Sequence, residues 1–346
     1  MKVLLTGSAG FIGGAATDVF TDAGHEVVRV DLMLAAAHGE SQAPDGTHQV
    51  DVRDADALTE LLRGCNAVCH QAAVVGAGVT VSDLPVYASH NDLGTATLLA
   101  AMHEVGVTRL VLASSMVVYG EGSYTCPEHG HRQPPPRSRT ALDGGDFDNH
   151  CPDCDRPLDW GLVGEDARLD PRSAYAASKV AQEHYAAAWV REAGGAAVAL
   201  RYHNVYGPGM PRNTPYSGVA ALFRSALERG ESPRVFEDGA QLRDFVHVAD
   251  VARANLAALE RVTQGEERFE AFNVCSGEPV SIGDVAQLVA RGSGRDVAPE
   301  VTGQYRLGDV RHVVASPELA AETLGFRARI SPEEGLPEFA TAPLRD

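Results

Sequence analysis

The sequence predicts a doubly wound α/β fold: a parallel sheet at the centre, a smaller C-terminal α/β part, and an inserted module between them. Three observations carry this expectation. Over roughly the first 200 residues, short β-branched runs alternate with helical stretches, the pattern of parallel strands joined by crossover helices. A glycine-spaced turn, Gly7-x-x-Gly10-x-x-Gly13, lies where the first apolar run gives way to the first helix. Residues 121–170 interrupt the alternation with a stretch rich in Pro, Gly, Cys and His.

Val3 to Leu5 reads as the first strand, and Phe11 to Ala23 as a helix that Gly24 closes. His25 to Val30 is a second strand, ending at Asp31. Ala55 to Arg63 then reads as a helix and Ala67 to His70 as a strand. The Ala/Leu-rich run Asn91 to Val105 is a long helix leading to a strand over Arg109 to Ala113. Tyr175 to Glu192 and Ala197 to Arg201 repeat that pairing. Beyond residue 205 the alternation weakens, although Val219 to Arg229, Val248 to Leu259 and Ser281 to Ala290 keep helical spacing. The expected division is a Rossmann-type domain over 1–204 with its insert, then a second domain over most of 205–346. The stretch 240–275 is expected to return to the first domain.

The 346 residues carry 29 Lys+Arg against 47 Asp+Glu, a net charge of −18. That charge argues against nucleic acid or an anionic membrane surface as a partner. No run reaches the roughly 18–20 apolar residues of a membrane span, and the N-terminus lacks the form of a signal peptide. The expected location is the cytoplasm, where the six cysteines stay reduced and paired Cys spacing points to metal before disulfide. Among the basic residues only Lys2 and Lys179 are lysine.

The glycine turn suits a dinucleotide. Its glycines allow a tight turn and close approach of a pyrophosphate, and the N-terminus of the following helix at Phe11, Ile12 and Gly13 offers free N–H groups. Asp31, about twenty residues on, would accept bonds from both adenosine ribose hydroxyls and repel a 2′-phosphate, which favours NAD over NADP. A purely structural strand-turn-helix corner is the bland alternative. Asp51-Val52 fits an adenine pocket, or an ordinary loop.

Tyr175-Ala-Ala-Ser-Lys179 puts a phenol and an ammonium on one helical face. The ammonium should lower the phenol pKa and prepare Tyr175 to take a proton from a sugar hydroxyl. In a chain that otherwise uses arginine, lysine at 179 is a choice, since arginine is bulkier and permanently charged. Ser115 ends a strand at the edge where open α/β sheets bind ligands, and could donate to a developing carbonyl.

These residues together resemble the extended short-chain dehydrogenase/reductases of the nucleotide-sugar epimerase/dehydratase family. The resemblance rests on Gly7, Gly10 and Gly13, Asp31, Asp51-Val52, His70-Gln71-Ala72-Ala73, Asn91, Ser114-Ser115, Tyr175-x-x-x-Lys179 and Arg201-Tyr202-His203-Asn204-Val205-Tyr206-Gly207-Pro208. It implies tightly held NAD, with Ser115, Tyr175 and Lys179 catalytic and Ala72, Ala73 and Asn91 bordering the cofactor. It also implies that Asn204, Arg243 and Arg306 meet the diphosphate of a nucleotide-diphosphate sugar, and that Asp309 meets its ribose. Val235-Phe236 resembles the base-contacting segment, with a core strand as the alternative. The Ala-rich helices 91–105 and 173–192 would pair across a homodimer.

Within that family, dehydratases carry an acid pair just after the catalytic Ser/Thr. Met116 and Val117 stand there and can move no proton. The implied reaction is therefore 4-epimerisation: oxidation at C4, rotation of the keto sugar, and reduction on its other face. An NAD-linked 4-keto-sugar reductase or dehydrogenase, or an NAD-binding regulatory protein without catalysis, are the alternatives. Asn213 to Val219 and Pro233 to Gly239 look most like dTDP-rhamnose 4-epimerase-type members, with UDP-sugar 4-epimerases close behind.

The insert departs from the family. Cys126 with His129 or His131, and Cys151-Pro-Asp-Cys154, form two knuckle-like pairs that could complete a tetrahedral structural zinc site. A flexible loop with incidental knuckles is the other reading. Cys65, Cys69 and Cys275 lie in core-like contexts and read as structural.

Overall fold

A computed structural model describes residues 1–76, 81–212, 218–265 and 267–345. The segment Asn213–Ser217, part of the sequence resemblance, lies outside the described residues.

The first half builds β1 (Lys2–Thr6), β2 (Glu26–Asp31), β3 (Thr47–Gln49), β4 (Ala67–His70) and β5 (Arg109–Ser115). The insert contributes β6 (Ser123–Cys126), β7 (Gly130–His131) and β8 (Asp159–Gly161). Then come β9 (Ala196–Tyr202), β10 (Asn204–Tyr206), β11 (Arg234–Val235), β12 (Leu242–His247), β13 (Arg268–Val274), β14 (Pro279–Ser281) and β15 (Glu300–Val301). The principal helices are α1 (Phe11–Asp22), α2 (Ala55–Leu62), α3 (Gly94–Val105) and α4 (Ala174–Ala193), followed by α5 (Val219–Glu228), α6 (Val248–Val262), α7 (Ile282–Ser293) and α8 (Pro332–Phe339).

Seven strands form one sheet in the order β3-β2-β1-β4-β5-β9-β13, every neighbouring pair parallel. Parallel pairing follows from long crossovers, and helices on both faces explain why the strands read as continuous apolar runs. On one face α1 and α6 pack Phe20, Val251 and Leu259 against Val3, Leu5 and Val198. On the other, α2, α3 and α4 pack Leu58, Leu98, Met102 and Trp189 against Leu4, Val68 and Leu110. Each such fully buried large side chain contributes roughly 1.5–3 kcal/mol. The chain order reverses between β1 and β4, and the crevice at the C-terminal ends of these strands is where doubly wound sheets take ligands.

The C-terminal layer has its own core, with Tyr206, Phe223, Val235, Phe245, Leu288 and Phe339 among its members. β12 pairs with β10 in parallel and with β14 antiparallel. α6 and β13 leave this layer: β13 pairs with β9 at the edge of the large sheet. The insert folds as a small antiparallel sheet, β7-β6-β8.

Boundaries shift by up to three residues from those the sequence predicts, and one difference is physical. The predicted helix at Asn91 starts with a π-helical turn over Ala88–Leu93 before becoming α3. Among the described residues, no helix is long and apolar enough to cross a membrane.

Candidate active site

A cavity of ≈ 390 Å³ opens at the sheet's C-terminal edge. Gly7, Gly10 and Gly13 form one wall, and Ser115, Tyr175 and Lys179 another. The glycine turn is built by close approach. Gly7 has φ +68°, and a Cβ there would stand 2.7 Å from the Ala72 nitrogen. A Cβ on Gly13 would stand 2.0 Å from the Gly7 carbonyl oxygen. α1 starts at Gly10 with no side-chain cap, so the N–H groups of its first turn, Phe11 to Gly13, remain for an anion. The Gly13→Ala substitution should force this turn open. Titration calorimetry with NAD should then detect no binding while the far-UV spectrum stays that of the wild type; retained affinity would place the dinucleotide elsewhere.

Asp31, at the end of β2, is 7 % exposed and lines the same cavity. Its carboxylate accepts from the Ala9 N–H at 3.0 Å and the Met33 N–H at 2.8 Å, with His38 Nε2 at 3.4 Å. Burial opposes the charge, but His38 and the two backbone donors outweigh it and hold the pKa below the usual carboxylate range. A fixed negative charge at this point disfavours a phosphate beside it. Val52, Ala72 and Ala73 also line the cavity. Asp51 borders it too, although its carboxylate is engaged by Arg53, which keeps its pKa low.

Asn91 departs from the position expected for it. It is fully buried and absent from the cavity wall: its side chain bonds both the N–H and the carbonyl of Val74 and donates to Ser178 Oγ. Asn91 thus fixes the wall at Val74 and ties it to α4.

Ser173 caps α4 by accepting from the Ala176 N–H at 3.1 Å, which sets the helix so that Tyr175 and Lys179 face the end of β5. Lys179 Nζ donates to the Ala113 carbonyl at 2.8 Å and lies 5.8 Å from the Tyr175 ring centroid. The expected lowering of the phenol pKa is not produced by the protein's own groups. Burial penalises both charged forms, pushing Tyr175 up and Lys179 down to about 7; Ser115, by hydrogen bonding, is the group that lowers Tyr175.

One turn further along α4, Glu183 anchors the helix to the sheet. It accepts from Arg201 Nε at 3.0 Å and Nη2 at 2.8 Å, and from Ser114 Oγ at 2.5 Å. Arg201 also donates to the Tyr119 hydroxyl at 2.9 Å. Glu183 and Arg201 are 2 % and 4 % exposed.

Of the residues expected to meet substrate, Asn204 lines the cavity beside Met210, Val219 and Phe245, and its amide donates to the Asp244 carbonyl at 2.9 Å. Arg243, Arg306 and Asp309 lie outside this wall. Arg243 donates to the carbonyls of Val310 and Arg311, and Arg306 stacks on Phe236 with its guanidinium 5.2 Å from the ring centroid. The Val235 side chain is completely buried in the C-terminal core, so the core-strand reading describes it and its side chain reaches no ligand.

Two further wall residues had no role predicted for them from the sequence. His203, between Tyr202 and Asn204, is 3 % exposed, and burial drives its imidazole down to about 3, so it is neutral. Arg345 reaches back from the C-terminal segment to donate to the Ala9 carbonyl at 2.5 Å, which brings a cation to the glycine turn. His203 stands inside the Arg201–Pro208 motif, which drew no role for it, whereas Arg345 belongs to no motif and long-range packing alone brings it there.

In the insert, Cys126, His129, Cys151 and Cys154 converge, with their ligand atoms all within 4.8 Å of one another. His131, on the same hairpin, is exposed and outside this group.

The chain matches the family profile described as the NAD dependent epimerase/dehydratase family over residues 3–141 and 161–275. It is 34% identical over 353 residues to dTDP-L-rhamnose 4-epimerase of Burkholderia thailandensis, covering 98% of this chain and 94% of that protein. Among solved structures it resembles the UDP-glucose 4-epimerase of Thermus thermophilus in complex with NAD, with TM-score 0.76, 32% identity and 98% of each chain covered. It also resembles Methanobrevibacter ruminantium UDP-N-acetylglucosamine 4-epimerase in complex with UDP-N-acetylmuramic acid. There the TM-score is 0.78 at 27% identity, covering 98% of this chain and 96% of that one.

Proposed function

Because the chain belongs to the NAD-dependent epimerase/dehydratase family, we propose that it is a nucleotide-sugar 4-epimerase working with NAD. The observation that carries this reading is the convergence of Ser115, Tyr175 and Lys179 on a cavity whose opposite wall is an uncapped helix start and a charged Asp31. The residues fit the dinucleotide: Gly7 to Gly13 for the pyrophosphate, Asp31 for the adenosine ribose, Asp51 and Val52 at the adenine, and Ala72, Ala73, Tyr175 and Lys179 toward the nicotinamide. When bound, NAD supplies the acceptor and later the donor of a hydride.

The chain's own part is proton transfer and positioning. Tyr175 Oη takes the proton of the C4 hydroxyl, and Ser115 donates a hydrogen bond to the oxygen as it becomes a carbonyl. The positive charge that the buried phenol needs comes from Lys179 when protonated, and from a cationic ring beside it. Tyr175 returns the proton once the 4-keto sugar presents its other face. Met116 and Val117 cannot bond the sugar hydroxyls, which suits a sugar that must turn over. We assign Asn204 and Arg243, with Arg306 and Asp309, to the nucleotide diphosphate and ribose, because arginine matches phosphate and a carboxylate matches a diol.

The likeness to dTDP-L-rhamnose 4-epimerase supports a dTDP-sugar as the first substrate to try. NMR of products from a panel of UDP- and dTDP-sugars should show interconversion of 4-epimers with no net NADH. Net NADH formation would make the protein a dehydrogenase, and silence across the panel would leave only a binding role.

We place the protein in the cytoplasm, with its six cysteines free. Leu93 and Tyr185, 54% and 45% exposed beside and on the packed helices α3 and α4, support a homodimer through these helices. Light scattering at the monomer mass would refute it. The insert's Cys/His cluster supports a structural zinc.

A further inference from the structure

The insert's own apolar cluster is small and built mostly from its cysteines. It consists of Tyr124, Cys126, Cys151 and Leu158, with Cys154 packed against it, so three of five members are the candidate ligands. Stretches 127–129 and 150–157 therefore need another source of order.

The distances at the cluster have a definite chemical meaning. Cys126 Sγ is 3.7 Å from Cys154 Sγ and 3.5 Å from His129 Nδ1, and Cys151 Sγ is 3.6 Å from the same nitrogen. A disulfide would need sulfurs about 2.05 Å apart. A tetrahedral zinc with bonds of about 2.3 Å to sulfur and about 2.0–2.1 Å to nitrogen has S···S edges of about 3.8 Å and S···N edges of about 3.6 Å. Three of the six edges of such a site thus already have that length, and all four ligand atoms lie within 4.8 Å of one another. Cys151 and Cys154 fall in residues 142–160, which the family profile does not match, while Cys126 and His129 fall in matched residues.

From there the hydrogen bonds run toward the substrate side. Tyr124, two residues before Cys126, accepts from the His312 N–H at 2.9 Å. Asn149, two residues before Cys151, donates at 3.0 Å to Glu121, whose carboxylate also accepts from the Arg311 N–H at 3.0 Å. Arg311 then forks onto Asp238 at 2.7 and 2.8 Å and reaches Glu237 at 3.0 Å. Glu237 takes both arms of the insert's Arg137, at 2.8 and 2.9 Å, and Arg137 donates to the Asp309 carbonyl at 2.7 Å. The carbonyls of Val310 and Arg311, inside this grip, hold Arg243.

We propose that Cys126, His129, Cys151 and Cys154 hold one structural zinc ion, and that this ion is a positioning device for the segment 309–313 and Arg243 at the nucleotide end of the active site. The second half rests on the epimerase reading, and the first does not. Four protein ligands leave no open position, so the ion takes no part in the chemistry.

Metal analysis of the full-length protein produced with zinc present should find close to one zinc per chain, and cobalt replacing it should give the intense visible bands of a tetrahedral thiolate site. Cys154→Ser should lose both. Less than a tenth of an equivalent, or a cobalt spectrum without those bands, overturns the site. Stripping the wild-type protein with a chelator should weaken binding of UDP or dTDP by at least fivefold in calorimetry while leaving NAD affinity unchanged, and zinc should restore it. Equal nucleotide affinity with and without zinc overturns the positioning role. Because this readout is binding and not turnover, it stands even if no sugar in the panel is epimerised.

Discussion

Tyr175→Phe should lower kcat by about 10²–10⁴-fold, the range over which a positioned general acid–base acts, while NAD stays bound. Phenylalanine keeps the ring that lies against Tyr87 at 6.1 Å and under Lys179 at 5.8 Å. The fold and the cofactor wall should therefore persist, and only the proton carrier is lost. The measurement is steady-state turnover of the sugar found active in the NMR panel, with bound NAD counted after denaturing the same sample. Loss of NAD together with activity would mean that the tyrosine holds the cofactor rather than moving a proton. A fall below tenfold would assign the proton to another group.

Glu183→Ala should cost about 3–5 kcal/mol of folding stability, because it leaves the Arg201 guanidinium buried without its carboxylate. The pair has two direct contacts and sits under β5 and β9. Urea unfolding at constant NAD measures the loss. Replacing Glu183 and Arg201 together by apolar residues of similar volume should recover most of it, since a buried ion pair is often no better than apolar packing. A single substitution costing less than about 1 kcal/mol, the scale of an exposed pair, would show that water reaches Arg201. Because Ser114 bonds the same carboxylate next to Ser115, the single variant should also turn over more slowly than its stability alone explains.

Much of the site was legible because its chemistry is written at fixed spacings. Gly7, Gly10 and Gly13 must recur at threes to let β1 and α1 meet, and Tyr175 and Lys179 must be four apart to share a helix face, so both patterns survive in the linear sequence. The pattern of strands was legible for a related reason: covered on both faces, they become unbroken apolar runs. What escaped depends on geometry with no local signature. Asn91 was expected at the cofactor, but the π-helical turn around it leads its amide to Val74 and Ser178. Val235 could be read as a base contact or as core, and its side chain lies in the C-terminal core. Arg345 reaches the wall only through tertiary packing, across 336 residues from Ala9. The phenol pKa went the other way from expectation because spacing reveals the neighbour and conceals the loss of water.

The position of β13 at the rim of the large sheet has a consequence for synthesis. After β9 leaves the ribosome, residues 203–274 must still be made before its open side finds a partner. At about 5–20 residues per second this takes roughly 4–14 s. Throughout that interval an alanine-rich, wholly buried strand presents unpaired N–H and C=O groups, the kind of edge that templates aggregation. Slow translation through this stretch, or a nonsense mutation before residue 268, should send the chain to chaperones or inclusion bodies even though every residue of the glycine turn and the Tyr175 helix is already present.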